Sequence, residues 1–573
     1  MLANVGGVIT ALVAAFWVGR AGRARWLLSR AKHPSLLGHS KLSKRVARLV
    51  PFYEYSEERF FDSDGAPEAV AQRRRAGFHR LAQVLGEHAS RTLAASDGLE
   101  DSVSDLQFTR RYRVPFQYAR YAARHLAIGS LLEGSNGVSV RNLDGYEAYD
   151  LTGSYGVNLF GYDFYKACID AGIARVRDLG PVLGSYHPVI ADNVRRLREI
   201  SGLAEVSFHM SGTEAVMQAV RLARFHTRRS RVVRFCGAYH GWWDDVQPGV
   251  GTPVNVHDTY TLREMDARTL RVLDRRRDIA CVLVNPLQSL HPNSGAPADA
   301  TLIGRRRTGH LDRDAYARWL GQLRDVCTRR GIILIFDEVF VGFRIAYGGA
   351  QEYFGVRADM VTYGKTLGGG LPIGVLCGAA GVMKRFRDDR PSDICFARGT
   401  FNSHPYVMAA MNEFLVRLEQ PEIRQSYDPL EATWNARARA LNARLAHEHL
   451  PVSVANLVSI WTVRYDAPSR YNWMFQYYLR SQGLALSWVG TGRLIFSHNY
   501  SDSEIADVID RFVAAARAMR EDGWWWHGRS ATNRSIAMKI LREMVAARWA
   551  EATRRPHVAS SVTIGSKSSP RST

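Results

Sequence analysis

Lysine is scarce in this sequence, with 8 residues against 68 arginines, and between residues 51 and 550 only Lys166, Lys365, Lys384 and Lys539 occur. Chemistry that needs a primary amine therefore has few candidates. Cysteine is sparse too. Cys168, Cys236, Cys281, Cys327, Cys377 and Cys395 form no CxxC pair and no cluster with histidine at metal-ligand spacing, which excludes a disulfide framework and the common zinc sites. Several lie in apolar runs such as CVLV from Cys281, where a thiol packs as a small hydrophobe. This usage points to a reducing, cytoplasmic setting. Acid is missing altogether from the first 53 positions, which hold nine basic residues. The uncharged run Leu2 to Gly19 has 18 residues and includes Asn4, Gly6, Gly7 and Thr10. A spanning helix needs roughly 20 apolar residues, so the run is marginal for one. Its positive flank follows instead of preceding it, the reverse of a secretory signal, and would hold the body of the protein on the cytoplasmic side. Residues 1–30 are expected to be a membrane anchor or interfacial helix, or else a helix packed on the protein's own surface.

What the chain does have is the material for a large globular protein. Its 573 residues imply two or three compact units, and 46% hydrophobic content supplies a sizeable core. A net charge of +21 raises the question of nucleic acid. The basic residues beyond the N-terminus are scattered, however, without an aromatic–basic signature, a zinc pattern or a helix-turn-helix, so no specific nucleic-acid partner is expected. Residues 31–135 are rich in helix formers and arginine and carry no assignable motif, so a helical extension is expected there. From 136 the texture becomes short apolar strands alternating with glycine-rich turns and amphipathic helices, an α/β pattern. RVVRFCG from Arg231, IACVLVNP from Ile279 and GIILIFDEV from Gly331 read as buried strands. The end, 521–573, reads as helix followed by a disordered tail over the last 18 residues, from Pro556.

Four local patterns carry chemistry. The run Ile332–Glu338, IILIFDE, is a strand ending in two carboxylates, and ligands of open α/β sheets bind beyond such strand ends. A buried acid there is costly unless it meets a cation, although a helix cap or a salt bridge would account for it equally well. Twenty-eight residues after Asp337 comes Lys365, in VTYGKTLGGG, where a glycine run lets backbone pass close to a bulky ligand. A lysine of lowered pKa can form a Schiff base with an aldehyde. Ser211-Gly212-Thr213-Glu214 opens a helix after VSFHM, which is a ready phosphate site or an ordinary N-cap. Tyr239-His240-Gly241 follows the strand RVVRFCG, where an aromatic can stack on a flat heterocycle or join the core.

Taken together over residues 136 to 520, these patterns resemble the class III aminotransferases, in particular their glutamate-1-semialdehyde aminomutase-like branch. NLDGYEAYDLTGSYGVNLFG from Asn142 and GTFNSHPYVMAA from Gly399 strengthen the likeness. The stretch through FDEVFVGFR and YGKTLGGGLPIG is similar to the aminotransferase domains of polyketide and non-ribosomal peptide assembly lines. The resemblance implies a fold-type-I α/β protein whose mostly parallel central sheet has helices on both faces, with a smaller α+β C-terminal domain. It divides the chain into an N-terminal segment at 136–190, a large domain at 191–415 that binds pyridoxal 5'-phosphate (PLP), and a small domain at 416–520. It further implies that Lys365 holds PLP as a Schiff base and carries the proton between Cα and C4′, and that Asp337 pairs with the pyridine nitrogen. Ser211, Gly212 and Thr213 would take the phosphate, with Thr400 reaching it from the partner subunit of a homodimer with shared sites. Tyr239, with His240 beside it, would cover one ring face, Val339 would pack on the other, and Gln288 would reach the ring hydroxyl. No metal is implied. The expected reaction is ping-pong transfer from an amino donor to an aldehyde or ketone through aldimine and ketimine, the alternative being aminomutase-type transfer within one molecule.

Two departures from the family pattern stand out. Asn285 occupies a position where the family usually has Glu. GWWDDVQPGVGTP after His240 is unlike the gating loop of true aminomutases, and Trp242 and Trp243 there suggest an apolar substrate. Arg464, Arg470, Trp473 and Trp488 are expected to contribute to the pocket.

Overall fold

The computed structural model describes residues 2–32, 36, 39–247, 249–251, 254, 256–287, 312–528 and 531–553. At its centre seven strands lie side by side. Their order is Glu205–His209, Gly374–Gly378, Met360–Gly364, Ile333–Asp337, Ile279–Val284, Arg231–Phe235 and Thr259–Leu262. The last five are mutually parallel, while Gly374–Gly378 runs antiparallel to both its neighbours. Side chains alternate between the two faces of a strand, and here both faces are covered. In Ile279–Val284, Cys281 and Leu283 pack beneath the helix Gly212–Thr227, which buries Val216, Ala219, Val220 and Ala223 against them. Val282 and Val284 face the other way, into a core that includes Trp319, Leu320 and Leu323 of the helix Arg313–Arg330. Near-continuous apolar strands are the consequence, each buried side chain contributing about 1.5–3 kcal/mol.

The parallel strands deliver their C-terminal ends to one edge. Asp337 closes its strand opposite Thr362, and Lys365 follows Thr362 by three residues. This register puts the acid and the amine on neighbouring strand ends.

A smaller unit combines the antiparallel strands Val452–Leu457, Ile460–Tyr465 and Leu494–Ile495 with the helices Leu430–His447 and Asp502–Glu521. Next to it, Leu132–Asn136, Ser139–Asn142 and Glu147–Asp150 form an antiparallel ribbon, which Leu484–Ala485 joins in parallel. Helices of the 31–135 extension wrap this small unit. Phe60, Phe61, Phe78 and Tyr118 are wholly buried, and Tyr118 meets Trp473 at 5.1 Å between ring centroids. The terminal helix Asn533–Thr553 is locked on by Glu543, which accepts from Arg470 at 2.8 Å and Tyr55 at 2.6 Å.

The pocket expectation for Arg470 and Trp473 is thereby corrected. Both are almost fully buried between small unit, extension and tail, and Arg470 spends its donors on Glu543, Tyr55 and the Ser63 carbonyl. The polar tail 554–573 lies outside the described residues. All six cysteines are buried and free. Among the described residues there is no cluster able to hold a metal ion, and no helix is long and apolar enough to cross a membrane.

Candidate active site

The apolar strand Ile333–Asp337 carries its terminal carboxylate into the interior, where Asp337 is only 4% exposed. A buried carboxylate needs donors, and three converge on it. The His240 Nδ1–H donates to Oδ2 at 2.7 Å, and the Thr362 hydroxyl and the Val339 N–H each donate to Oδ1 at 3.2 Å. His240 is itself buried. Burial pushes its pKa down, and the contact with Asp337 works against that shift. The imidazole Nε2 is buried with no hydrogen-bond partner among the described residues.

Glu338, one residue on, points elsewhere because successive side chains alternate. It accepts from the N–H groups of Ala350 at 2.7 Å and Gln351 at 3.2 Å, at the start of the helix Gly349–Phe354. Burial pushes its pKa up to about 8 in spite of those donors. Of the two carboxylates in the motif, then, one belongs to the site and the other caps a helix.

Lys365 opens a single 3₁₀ turn, Lys365–Gly368, with a left-handed φ of 48°. That conformation is uncommon outside glycine and marks positions held by function. The ammonium lies 5.7 Å from the centroid of the Phe340 ring. Burial lowers its pKa, Asp337 opposes the shift, and the cations Arg493 and Arg344 add to it. Gly156 makes room for this pair, since at its φ of +94° a Cβ would stand 2.6 Å from the Phe340 ring and 3.2 Å from Lys365 Cδ.

A cradle of small residues completes the cleft. Ser211 caps the helix Gly212–Thr227 by accepting from the Glu214 N–H at 3.3 Å, and the free N–H groups of its first turn point outward. A Cβ on Gly212 would lie 2.5 Å from Val339, one on Gly241 would lie 2.6 Å from the Thr213 hydroxyl, and one on Gly374 would collide with the Ser211 carbonyl. Glycine thus lets the Val339 and Thr213 side chains and the Ser211 backbone pack tightly here.

The structure accordingly brings together Lys365, Asp337, His240, Val339, Ser211, Gly212 and Thr213. Tyr239 adjoins His240 and is 59% exposed. Thr400 stands apart, exposed on the turn before the helix Pro405–Leu418. Gln288 lies outside the described residues. Asn285 is buried and accepts from the Leu287 N–H at 3.3 Å. The tryptophan pair divides: Trp242 is 75% exposed, while Trp243 is half-buried and packs against the core on the side of the Gly212 helix. Trp488 meets Phe108 of the extension at 5.6 Å.

Two arginines escaped sequence reasoning. Arg344, fully buried, donates to the carbonyls of Phe496 at 2.7 Å, Asn158 at 2.9 Å and Gly156 at 3.3 Å. It ties the N-terminal segment to the small unit across the cleft, and burial pulls its pKa down to about 10. An arginine inside the apolar run FVGFR was the available signal. Arg493 lies 5.5 Å over the same Phe340 ring as Lys365. Burial lowers its pKa to about 10, and no carboxylate among the described residues pairs with it. Nothing in GTGRLIF announced that role.

Comparison with known proteins agrees with this geometry. The model of the family "Aminotransferase class-III" matches residues 120–246 and 312–516, more than half of the chain. A glutamate-1-semialdehyde 2,1-aminomutase of Nitratidesulfovibrio vulgaris is 31% identical over 417 residues, covering 67% of this chain and 90% of that protein. Among solved structures, a glutamate-1-semialdehyde aminomutase from Pseudomonas aeruginosa PAO1 superposes with a TM-score of 0.62 at 18% identity, over 79% of this chain and 99% of that one. An omega-transaminase from Sphaerobacter thermophilus gives 0.58 at 23% identity, over 74% and 99%.

Proposed function

The chain belongs to the class III aminotransferases, a PLP-dependent family, and we propose that it moves the amino group of a carboxylate-bearing donor to an aldehyde or ketone in two half-reactions. The single observation behind this reading is the placement of three groups around one cleft. They are an amine of lowered pKa, a carboxylate held by three donors, and a guanidinium without a carboxylate partner among the described residues.

The residues present fit PLP. Asp337 and His240 form a buried hydrogen-bonded pair able to hold a pyridine N–H, and the slot for the ring would lie beside glycines whose missing Cβ lets Val339, Thr213 and the Ser211 carbonyl pack closely. The free N–H groups of the Gly212 helix suit a phosphate. PLP supplies an aldehyde that condenses with amines and a protonated ring that withdraws electrons.

The protein's own groups do the rest. Asp337, fixed in place by the donors His240, Thr362 and Val339, would accept the ring N–H and keep the proton there. The Lys365 amine, made easier to deprotonate by burial and by two nearby arginines, would take the donor's Cα proton. Arg493 holds the donor carboxylate, which fixes the Cα–H bond relative to Lys365. Val339 and Tyr239 supply the walls of the slot, and Trp242 offers apolar surface to an acceptor.

Thr400 serves the site of the partner in a homodimer. Its neighbours Phe396 and Phe401 are exposed, and Arg398 donates to the Gly184 carbonyl at 3.4 Å, setting the exposed Val182 and Tyr186 beside them. An apolar surface of this kind is what a two-fold interface covers. Aminomutase chemistry is the second reading, favoured by the 31% identical relative. Incubating the PLP form with a panel of amino acids decides between them. Transaminase action releases the matching oxo acid and leaves the pyridoxamine form, whereas an aminomutase isomerises glutamate 1-semialdehyde with no oxo acid released. An enzyme inert to every amino acid and to the semialdehyde would overturn both readings.

A further inference from the structure

The helix α1, Leu2–Ala31, has no part in the site. Among its described side chains, those that hold it to the protein lie at its C-terminal end. Leu27 and Ala31 are buried, Leu28 packs against the core, and the Arg263 N–H donates to the Ala31 carbonyl at 3.0 Å beside the edge strand Thr259–Leu262. Every residue from 12 to 26 is exposed. Over those residues, about 20 Å of helix at 1.5 Å per residue, apolar side chains project on all sides. Leu12 is 65% exposed, Phe16 64%, Trp17 60% and Val18 72%. A soluble helix hides one face against its own core, and this one hides none.

The charge around it is of one sign. Arg20, Arg23, Arg25 and Arg30 lie on α1 itself, Lys32 follows, and the chain has no acid before Glu54. Arg20 stacks on Trp17 at 5.6 Å and Arg30 on Trp26 at 5.4 Å. Paired tryptophan and arginine at the root of an apolar segment are suited to the boundary between hydrocarbon and headgroups. The next helix, α2 (Ser40–Ala47), and the turn after it repeat the pattern on their outward side, where Lys41, Leu42, Arg45, Arg48 and Leu49 are all exposed, Leu49 by 63%.

We propose that α1 and the outward side of α2 dock the enzyme on an anionic lipid surface, with the apolar part of α1 entering the hydrocarbon and the basic residues lying among the headgroups. A second copy of the chain is a poorer occupant, because pairing two α1 helices would bring four arginines against four with no acid on either helix. An anionic leaflet complements both halves of the pattern.

Vesicle flotation of the purified full-length holoenzyme tests this, using phosphatidylcholine vesicles with and without phosphatidylglycerol. The protein is expected to float with the phosphatidylglycerol vesicles and to bind pure phosphatidylcholine far more weakly, with salt releasing part of the bound fraction. Each basic residue near such a surface contributes a factor of about 5, so Arg20→Gln, Arg23→Gln and Arg25→Gln together should weaken binding on the order of 100-fold. Phe16→Asp with Trp17→Asp should abolish it. Both variants should keep wild-type cofactor absorbance and turnover, because these residues lie far from the cleft in sequence and fold. Three results would overturn the proposal: a full-length chain that stays in the soluble layer, equal binding to both kinds of vesicle, or a large oligomer that Phe16→Asp disperses while vesicles are ignored. The last would identify a second copy as the occupant.

Discussion

Replacing Asp337 by asparagine exchanges one oxygen for an NH₂ group, and the hydrogen-bond pattern dictates where that group goes. Oδ1 accepts from both Thr362 and Val339, whereas Oδ2 accepts only from His240. The amide oxygen therefore keeps the Oδ1 position and the NH₂ turns toward His240. Nδ1 must then accept, and its proton moves to Nε2, a buried atom with no partner among the described residues. An orphaned buried donor costs about 1–3 kcal/mol, which should appear as reduced thermal stability. The larger effect falls on catalysis, since a neutral amide cannot hold a pyridine N–H as an anion does. A loss of several kcal/mol of transition-state stabilisation corresponds to about 10³-fold or more in rate. Single-turnover measurement with a saturating amino donor, alongside a cofactor-content assay, separates slow chemistry from lost PLP. A variant that keeps PLP and reacts within a few fold of wild type would refute the placement of Asp337 beneath the ring.

Other outcomes follow from the same contacts. Arg493→Gln should raise KM for amino acid donors about 10- to 100-fold, on the order of one charge-assisted pair, and leave amines without a carboxylate unaffected; equal effects on both would remove Arg493 from the donor site. Glu338 has a folded pKa near 8, above its unfolded value. Its contribution to stability is thus fully present below the ordinary carboxyl value of 4.5 and is lost as pH rises from there to about 8, so Glu338→Gln should flatten the fall in Tm over that interval. Parallel melting curves for wild type and variant across the interval would show that Glu338 does not titrate there. Mixing inactive Lys365→Ala chains with Thr400→Ala chains should form heterodimers with one intact site and restore activity, and a fully active monomer at high dilution would contradict shared sites.

The parts of the site legible in the sequence are those whose signal is local. A strand ending in carboxylates, a lysine before glycines and a Ser-Gly-Thr helix start each announce their own geometry, and parallel pairing brings them to one edge. Which of Asp337 and Glu338 enters the site depends on the alternation of side chains at the strand end and on a helix, Gly349–Phe354, that begins a dozen residues later. Arg344 and Arg493 were not legible, because their neighbours come from segments far away in the chain. Arg470 and Trp473 were misread for a related reason. Arginine among aromatics has the same composition whether it lines a pocket or, as here, is sealed in by an extension and a tail that carry no motif. Trp242 and Trp243 were read as one feature, yet adjacent side chains diverge, and only one remained at the surface.

We place PLP on the amine of Lys365. Borohydride reduction of the purified protein, proteolysis and mass mapping of the phosphopyridoxyl label test it directly. The label should appear on the peptide containing Lys365 and nowhere else, and Lys365→Ala should take up none while keeping its fold. A label on Lys384, or equal labelling in Lys365→Ala, would contradict the account.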